Sequence, residues 1–208
     1  MPALRSASGL ILRSDLALAY ACAVAAGAIT LALVPEHTQR AVVLDASTNL
    51  ANLRDHPLSV LVVSAFVVER LRGLWVLPLL ALAYAAVQAW LGRLATLVAA
   101  AIGHVGATLF VAVVLASGIA HGALDPSVAR APDVGVSYGM ACLSGLLAGR
   151  VPRSWLRWYL AGALVLWVVP LLASPDYTAL GHATALVLGL ALAVLVTRAV
   201  RAARLSQP

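Results

Sequence analysis

Along the chain, hydrophobic stretches alternate with short breaks of charge, proline or glycine. Six stretches are predicted to be membrane-spanning helices, near 15–34, 73–91, 94–119, 135–149, 154–174 and 177–197. The criterion is length, because about 20 apolar residues in a helix cover the hydrocarbon core of a bilayer. The fourth stretch is short, with only about 15 residues before Arg150, so it is expected to begin below the outer surface. A further apolar piece, PLSVLVVSAFVV at 57–68, is too short to span and reads as re-entrant or interfacial. Most polar residues gather in a long outer loop, about 35–72. Within it, DASTNLANLRDHP fits either a polar connector or a short helix capped by Ser47 or Thr48. No fixed-period repeat is visible. The expected fold is an all-α membrane protein, a six-helix bundle. It divides into an N-terminal cytoplasmic segment 1–14, a membrane domain 15–197 and a basic cytoplasmic tail 198–208. The first apolar run is too long for a signal peptide and lacks a cleavage box, so it is expected to stay as an anchor.

Composition strengthens this picture. Hydrophobic residues make up 62% of the 208 and charged residues 11%, against roughly 45–50% and about 25% in soluble domains. A soluble domain of this length could not hide so much apolar surface. Cys22 and Cys142 both lie in apolar runs and read as buried thiols, without a disulfide or metal framework. The 14 basic residues are all arginine, and they form no basic, aromatic-studded patch, so nucleic acid is not an expected partner.

The arginines instead suggest an orientation. With the N-terminus inside, the inner segments carry Arg5, Arg13, Arg93, Arg150, Arg153, Arg157, Arg198, Arg201 and Arg204. The outer ones carry Arg40, Arg54, Arg70, Arg72 and Arg130. Seven of the eight acids then fall outside, with Asp15 the exception. Short arginine-bearing loops mark the cytoplasmic side, so both termini are expected there, in a multi-pass protein of the cell membrane. Trp75, Trp90, Trp155 and Trp158 fall near span ends, as interfacial anchors do. No span interior carries an acid or an arginine, which argues against a small-solute transporter.

The candidate chemistry centres on Gly135-Val136-Ser137-Tyr138-Gly139, which spells G-x-S-x-G. As a soluble hydrolase elbow this motif needs a preceding strand, and none is predicted here. Depth supplies a different context. Ser137 lies four residues past Asp133, and His182 six past Asp176, about 6 and 9 Å below the same face at ~1.5 Å per residue. A serine hydroxyl needs a base within hydrogen-bond reach, and histidine is the usual one near neutral pH. Gly135, Gly139, Gly145 and Gly149 in the fourth span, with Ala185 and Gly189 in the sixth, permit close helix approach. The same residues also fit a packing serine and a structural histidine, and both readings stay open. Asp133 and Asp176 suit helix N-termini without catalysis. His121 is the rival base, near the level of Ser137. His104 reads as a polar clamp near mid-membrane, or as a stand-in donor. His37 and His56 are expected to be solvated loop residues.

These positions resemble the rhomboid intramembrane serine proteases, and more specifically their divergent rhomboid-like relatives. The resemblance rests on G-x-S opening the fourth of six helices and a histidine near the start of the sixth. His182-Ala-Thr-Ala185-Leu-Val-Leu-Gly189 resembles the family's H-x-x-G-x-x-x-G, with alanine for the first glycine. Gln88-Ala-Trp-Leu-Gly92 resembles its E-x-x-x-G, with glutamine for glutamate. The resemblance implies Ser137 as nucleophile and His182 as base; Gly135, His121 and His104 stand beside them as possible supports or rival bases. It implies transmembrane protein substrates or clients, contact with membrane lipids, and no metal or organic cofactor. It equally covers inactive pseudoproteases that bind transmembrane segments in membrane-protein quality control. Three positions depart from the pattern: Tyr138 follows the serine in place of a small residue, the second span lacks H-x-x-x-N, and Ala141 stands where an aromatic supports the histidine.

Overall fold

A computed structural model describes residues 14–69 and 71–205. Arg5, Arg13 and Arg70 of the charge pattern lie outside the described residues, as do the side chains of Arg72 and Arg204. The described residues are helical throughout, without strands. We number the α-helices α1 (Asp15–Ala32), α2 (Glu36–Ala46), α3 (Leu50–Asp55), α4 (Pro57–Val63), α5 (Leu77–Leu91), α6 (Arg93–Ala120), α7 (Val136–Leu147), α8 (Arg153–Trp167), α9 (Val169–Ala173) and α10 (Tyr177–Leu205). Short 3-10 turns occupy Ser64–Phe66, Leu71–Val76 and Pro126–Arg130.

Four helical stretches among the described residues are long and apolar enough to cross a membrane: Asp15–Ala32, Gly73–Leu91, Arg93–Ala120 and Tyr177–Ala203. The other two expected spans are shorter. α7 has 12 residues, about 18 Å of rise. The expected 154–174 stretch is broken, with α8 ending at Trp167 and α9 resuming at Val169. Pro170 explains the break, since its ring and missing N–H interrupt the helical ladder one turn back. The 57–68 segment forms α4 and a 3-10 turn that folds back against the bundle. There the Ser64 carbonyl accepts from Gly135 N–H at 3.0 Å.

Central to the packing is α7, held between α6 and α10. Nine of its 12 residues are buried, including Tyr138, Met140 and Leu143. Its crossing with α10 depends on two glycines. A Cβ at Gly145 would lie 2.4 Å from the Leu186 carbonyl oxygen, and one at Gly189 1.9 Å from that of Cys142. Only hydrogen fits at either place. At one end of the bundle, Asp15 accepts from Gln88 Nε2 (2.6 Å) and Arg93 Nε (3.0 Å), joining the start of α1 to the α5–α6 turn. Gly92 makes that turn with φ +85°, a conformation that favours glycine. The glutamine and glycine of the Q-x-x-x-G sequence therefore tie three helices together. Gly149, Trp90 and Thr197 meet at this same end.

Two expectations need correction. Cys22 is exposed, and only Cys142 is buried. An apolar run marks a membrane helix but does not say which face meets lipid. The 47–57 segment does contain a short helix, α3, yet Asn49 caps it, with its side-chain oxygen accepting from Asn52 N–H at 2.9 Å. Ser47 instead donates to the Val43 carbonyl at 2.6 Å, and Thr48 turns to Asp133.

Candidate active site

The start of α7 is held from outside the helix. Gly135 is its N-cap, and Gly135 N–H is fixed to the Ser64 carbonyl. Two residues earlier, the Asp133 carbonyl accepts from Thr48 N–H at 2.8 Å. The loop between α1 and α5 thus grips the chain just before the helix that carries Ser137. Ser137 is the second residue of α7, so its N–H is among the first four that an α-helix leaves without intrahelical partners.

Across the α7–α10 contact, Ser137 Oγ lies 2.6 Å from His182 Nε2. Both residues are half-buried, on the wall of a cavity of about 820 Å³. The cavity is bounded by residues 67–79, the start of α7, the α8–α9 break and the start of α10. It is mostly apolar, with Glu69, Asp133, Asp176 and Thr178 adding polar groups. From the second span it receives only Trp75, Val76 and Leu79 beside Gly73.

The imidazole of His182 is packed between two aromatic rings. Tyr138 meets it edge-on, with centroids 5.2 Å apart and planes at 78°. Trp167 lies on another side at 5.1 Å and 46°. Trp167 is buried, and its indole N–H has no hydrogen-bond partner among the described residues. Tyr138 was missed as a site residue because the residue after the serine counts against the family pattern. Gly181 makes room for it: a Cβ there would lie 2.3 Å from Tyr138 Cζ, so the ring occupies space that only glycine leaves.

Asp133 does not cap α7, as its place ahead of the span had suggested. Its carboxylate accepts from Tyr138 OH at 2.9 and 3.0 Å, from Thr48 Oγ1 at 3.3 Å and from Thr178 Oγ1 at 3.4 Å. Burial pushes this carboxyl up to about 6, against the lowering effect of those three donors. Asp176 does cap its helix, accepting from Ala179 N–H at 2.7 Å.

His104 sits elsewhere than residue counting suggested. Its ring packs against Gly135, where a Cβ would lie 1.9 Å away, and Nε2 meets the Leu61 carbonyl at 2.9 Å and Ser64 Oγ at 3.2 Å. It therefore lies level with the start of α7, not below it. α6 has 28 residues, about 42 Å of rise, and counting from one end of a helix longer than the bilayer misjudges depth. His104 ties α6 to the folded-back 57–66 segment. His121, at the exposed end of α6, is seventeen residues beyond His104, about 25 Å along the axis. Its Nδ1 lies 2.8 Å from the Ser117 carbonyl. It does not line the cavity, and neither do the exposed His37 and His56.

Comparison with known proteins places the chain in a family. The sequence matches the model of the rhomboid-like protein family over residues 4–202. No curated protein and no solved structure matches it significantly. The match covers nearly the whole chain, and the chain belongs to the rhomboid-like family.

Proposed function

We propose that this rhomboid-like protein is an intramembrane serine endopeptidase. In this reading Ser137 is the nucleophile and His182 the general base, acting on transmembrane segments of membrane proteins. The bundle has six spans, with α7 and the broken α8–α9 stretch as the two short ones. Both termini face the cytoplasm, in the cell membrane, and the cavity opens at the outer face. The observation that carries the reading is the 2.6 Å approach of Ser137 Oγ to His182 Nε2.

The chemistry follows from that contact. With Nδ1 protonated, Nε2 accepts the Ser137 hydroxyl proton as the oxygen attacks the scissile carbonyl carbon. The resulting oxyanion meets the unpaired N–H of Ser137. His182 then gives its proton to the departing amine, leaving an acyl-serine that water hydrolyses with the same base. The apolar cavity suits a hydrophobic peptide unwound at its outer end.

A second reading is favoured by one specific observation: α5 places no side-chain hydrogen-bond donor in the cavity. Loss of a single oxyanion donor typically costs ~10²–10³ in rate. A protein of this shape could therefore bind transmembrane segments without cleaving them.

Fluorophosphonate labelling of the detergent-purified protein separates the two. A hydrolase labels, and Ser137→Ala and His182→Ala both abolish the label. Absence of labelling in folded wild type overturns the hydrolase reading in favour of the binding one.

A further inference from the structure

Among the described residues, no carboxylate hydrogen-bonds His182. In serine–histidine sites a third group commonly holds the imidazole in the right orientation, and a carboxylate often fills that role. Here the ring contacts of Tyr138 and Trp167 are what restrain His182. A ring contact positions a neighbour only if the ring itself is fixed, and Tyr138 is fixed with care. The residue is fully buried, its ring fills the space beside Gly181, and its hydroxyl donates to both carboxylate oxygens of Asp133. Asp133 is pinned in turn by Thr178 from α10 and by Thr48 from the outer loop.

We propose that Asp133 and Tyr138 form an anchor that positions His182 against Ser137. The carboxylate acts at one remove, through a phenol hydrogen bond and an aromatic edge contact. Both are positioning residues, since neither touches the serine–histidine hydrogen bond. The simpler account is that Asp133 merely satisfies a buried phenol. That account leaves the tether to Thr48 and Thr178 without a purpose, and it gives Tyr138 no reason to stand beside the imidazole. The effect on rate rests on the hydrolase reading, whereas the effect on the imidazole does not.

The test uses four variants of the full chain: Tyr138→Phe, Asp133→Ala, Asp133→Asn and the Tyr138→Phe/Asp133→Ala pair. Two measurements are made on each, the fluorophosphonate labelling rate per folded molecule and the ¹⁵N spectrum of the histidine side chains in micelles. His182→Ala assigns the His182 signals. In wild type, His182 is expected to give one sharp tautomer. Tyr138→Phe and Asp133→Ala each release the ring, so the signals average between tautomers and labelling slows about 10-fold, because small misplacements near reacting atoms are costly. The double variant is no slower than the worse single one, since both substitutions cut the same link. Asp133→Asn keeps an acceptor oxygen for the phenol and restores the sharp spectrum and most of the rate. An unchanged spectrum in Tyr138→Phe overturns the anchor, as does an Asp133→Asn variant as disturbed as Asp133→Ala. If wild type does not label, the hydrolase reading fails and the nitrogen spectra still decide the anchor.

Discussion

Two buried or half-buried serine–histidine pairs among the described residues differ in an instructive way. Ser137 and His182 stand 2.6 Å apart on the wall of one cavity; Ser64 and His104 stand 3.2 Å apart, with His104 on the wall of a second, smaller one. The atom that decides between them is Nε2. In His104 it also meets the Leu61 carbonyl at 2.9 Å, and a carbonyl can only accept. Nε2 of His104 therefore carries the proton and cannot take one from Ser64. Nε2 of His182 has Ser137 as its one hydrogen-bond partner among the described residues, so it is free to act as an acceptor. Closeness of a serine to a histidine does not make a base; a vacant nitrogen does.

The largest expected effect breaks the first pair. His182→Ala is expected to lower the fluorophosphonate labelling rate by ~10³-fold or more, the usual scale for removing a base that works as a unit with its nucleophile. The melting temperature should fall modestly, because the imidazole packs against the Tyr138 and Trp167 rings, so labelling is compared per folded molecule. A variant that still labels would move the base elsewhere.

Next comes a substitution that separates the pair without touching either member. A Cβ at Gly189 would lie 1.9 Å from the Cys142 carbonyl oxygen, which belongs to rigid helix backbone. Gly189→Ala must then push α10 away from α7, and Ser137 is on one helix and His182 on the other. Labelling is expected to fall at least ~10-fold, with a lower melting temperature, since overpacking costs about 1–3 kcal/mol. Labelling and a melt on the same preparation check both. The His104 clamp joins α6 to the outer segment and should survive, leaving its histidine signals in place.

His104→Ala reverses the pattern. It removes a buried ring and leaves the Leu61 carbonyl unmet, a loss of roughly 1–3 kcal/mol. The melting temperature should drop by several degrees. Labelling per folded molecule should stay within about threefold of wild type, because the Ser137–His182 contact is made by other helices. A loss as deep as that of His182→Ala would mean the two pairs are not functionally distinct.

The comparison also shows what residue patterns can carry. The approach of Ser137 to His182 was legible because each follows a Pro-Asp just ahead of its helix, so counting residues gave comparable positions along the two helices. Counting failed for His104, which lies inside a long helix with no marker near it. Tyr138 failed for a different reason: its role depends on the α7–α10 crossing, which turns the residue after the serine toward Gly181. The Thr48–Asp133 tether joins residues 85 apart in the chain, and no local periodicity records such a pairing. The four long helices were legible by length and apolarity, whereas the faces they turn to lipid were not, as Cys22 illustrates.

The smallest expected effect concerns pH, and it isolates Asp133, whose carboxyl holds the Tyr138 ring beside His182. Asp133 is pushed up to about 6 because burial disfavours its charge and Glu69 adds repulsion, while Tyr138, Thr48 and Thr178 donate to it. An unfolded aspartate titrates near 3.9. Between those values the folded state holds the proton more tightly than the unfolded state. Its contribution to stability is therefore fully present below about 4 and is lost as pH rises through about 6. Wild type should melt at a temperature that falls by a few degrees from about pH 4 to 7, relative to Asp133→Asn measured in parallel. Taking the difference between the two proteins cancels every group that they share. Parallel curves would mean that Asp133 is already ionised throughout the window, held so by its three donors in spite of burial.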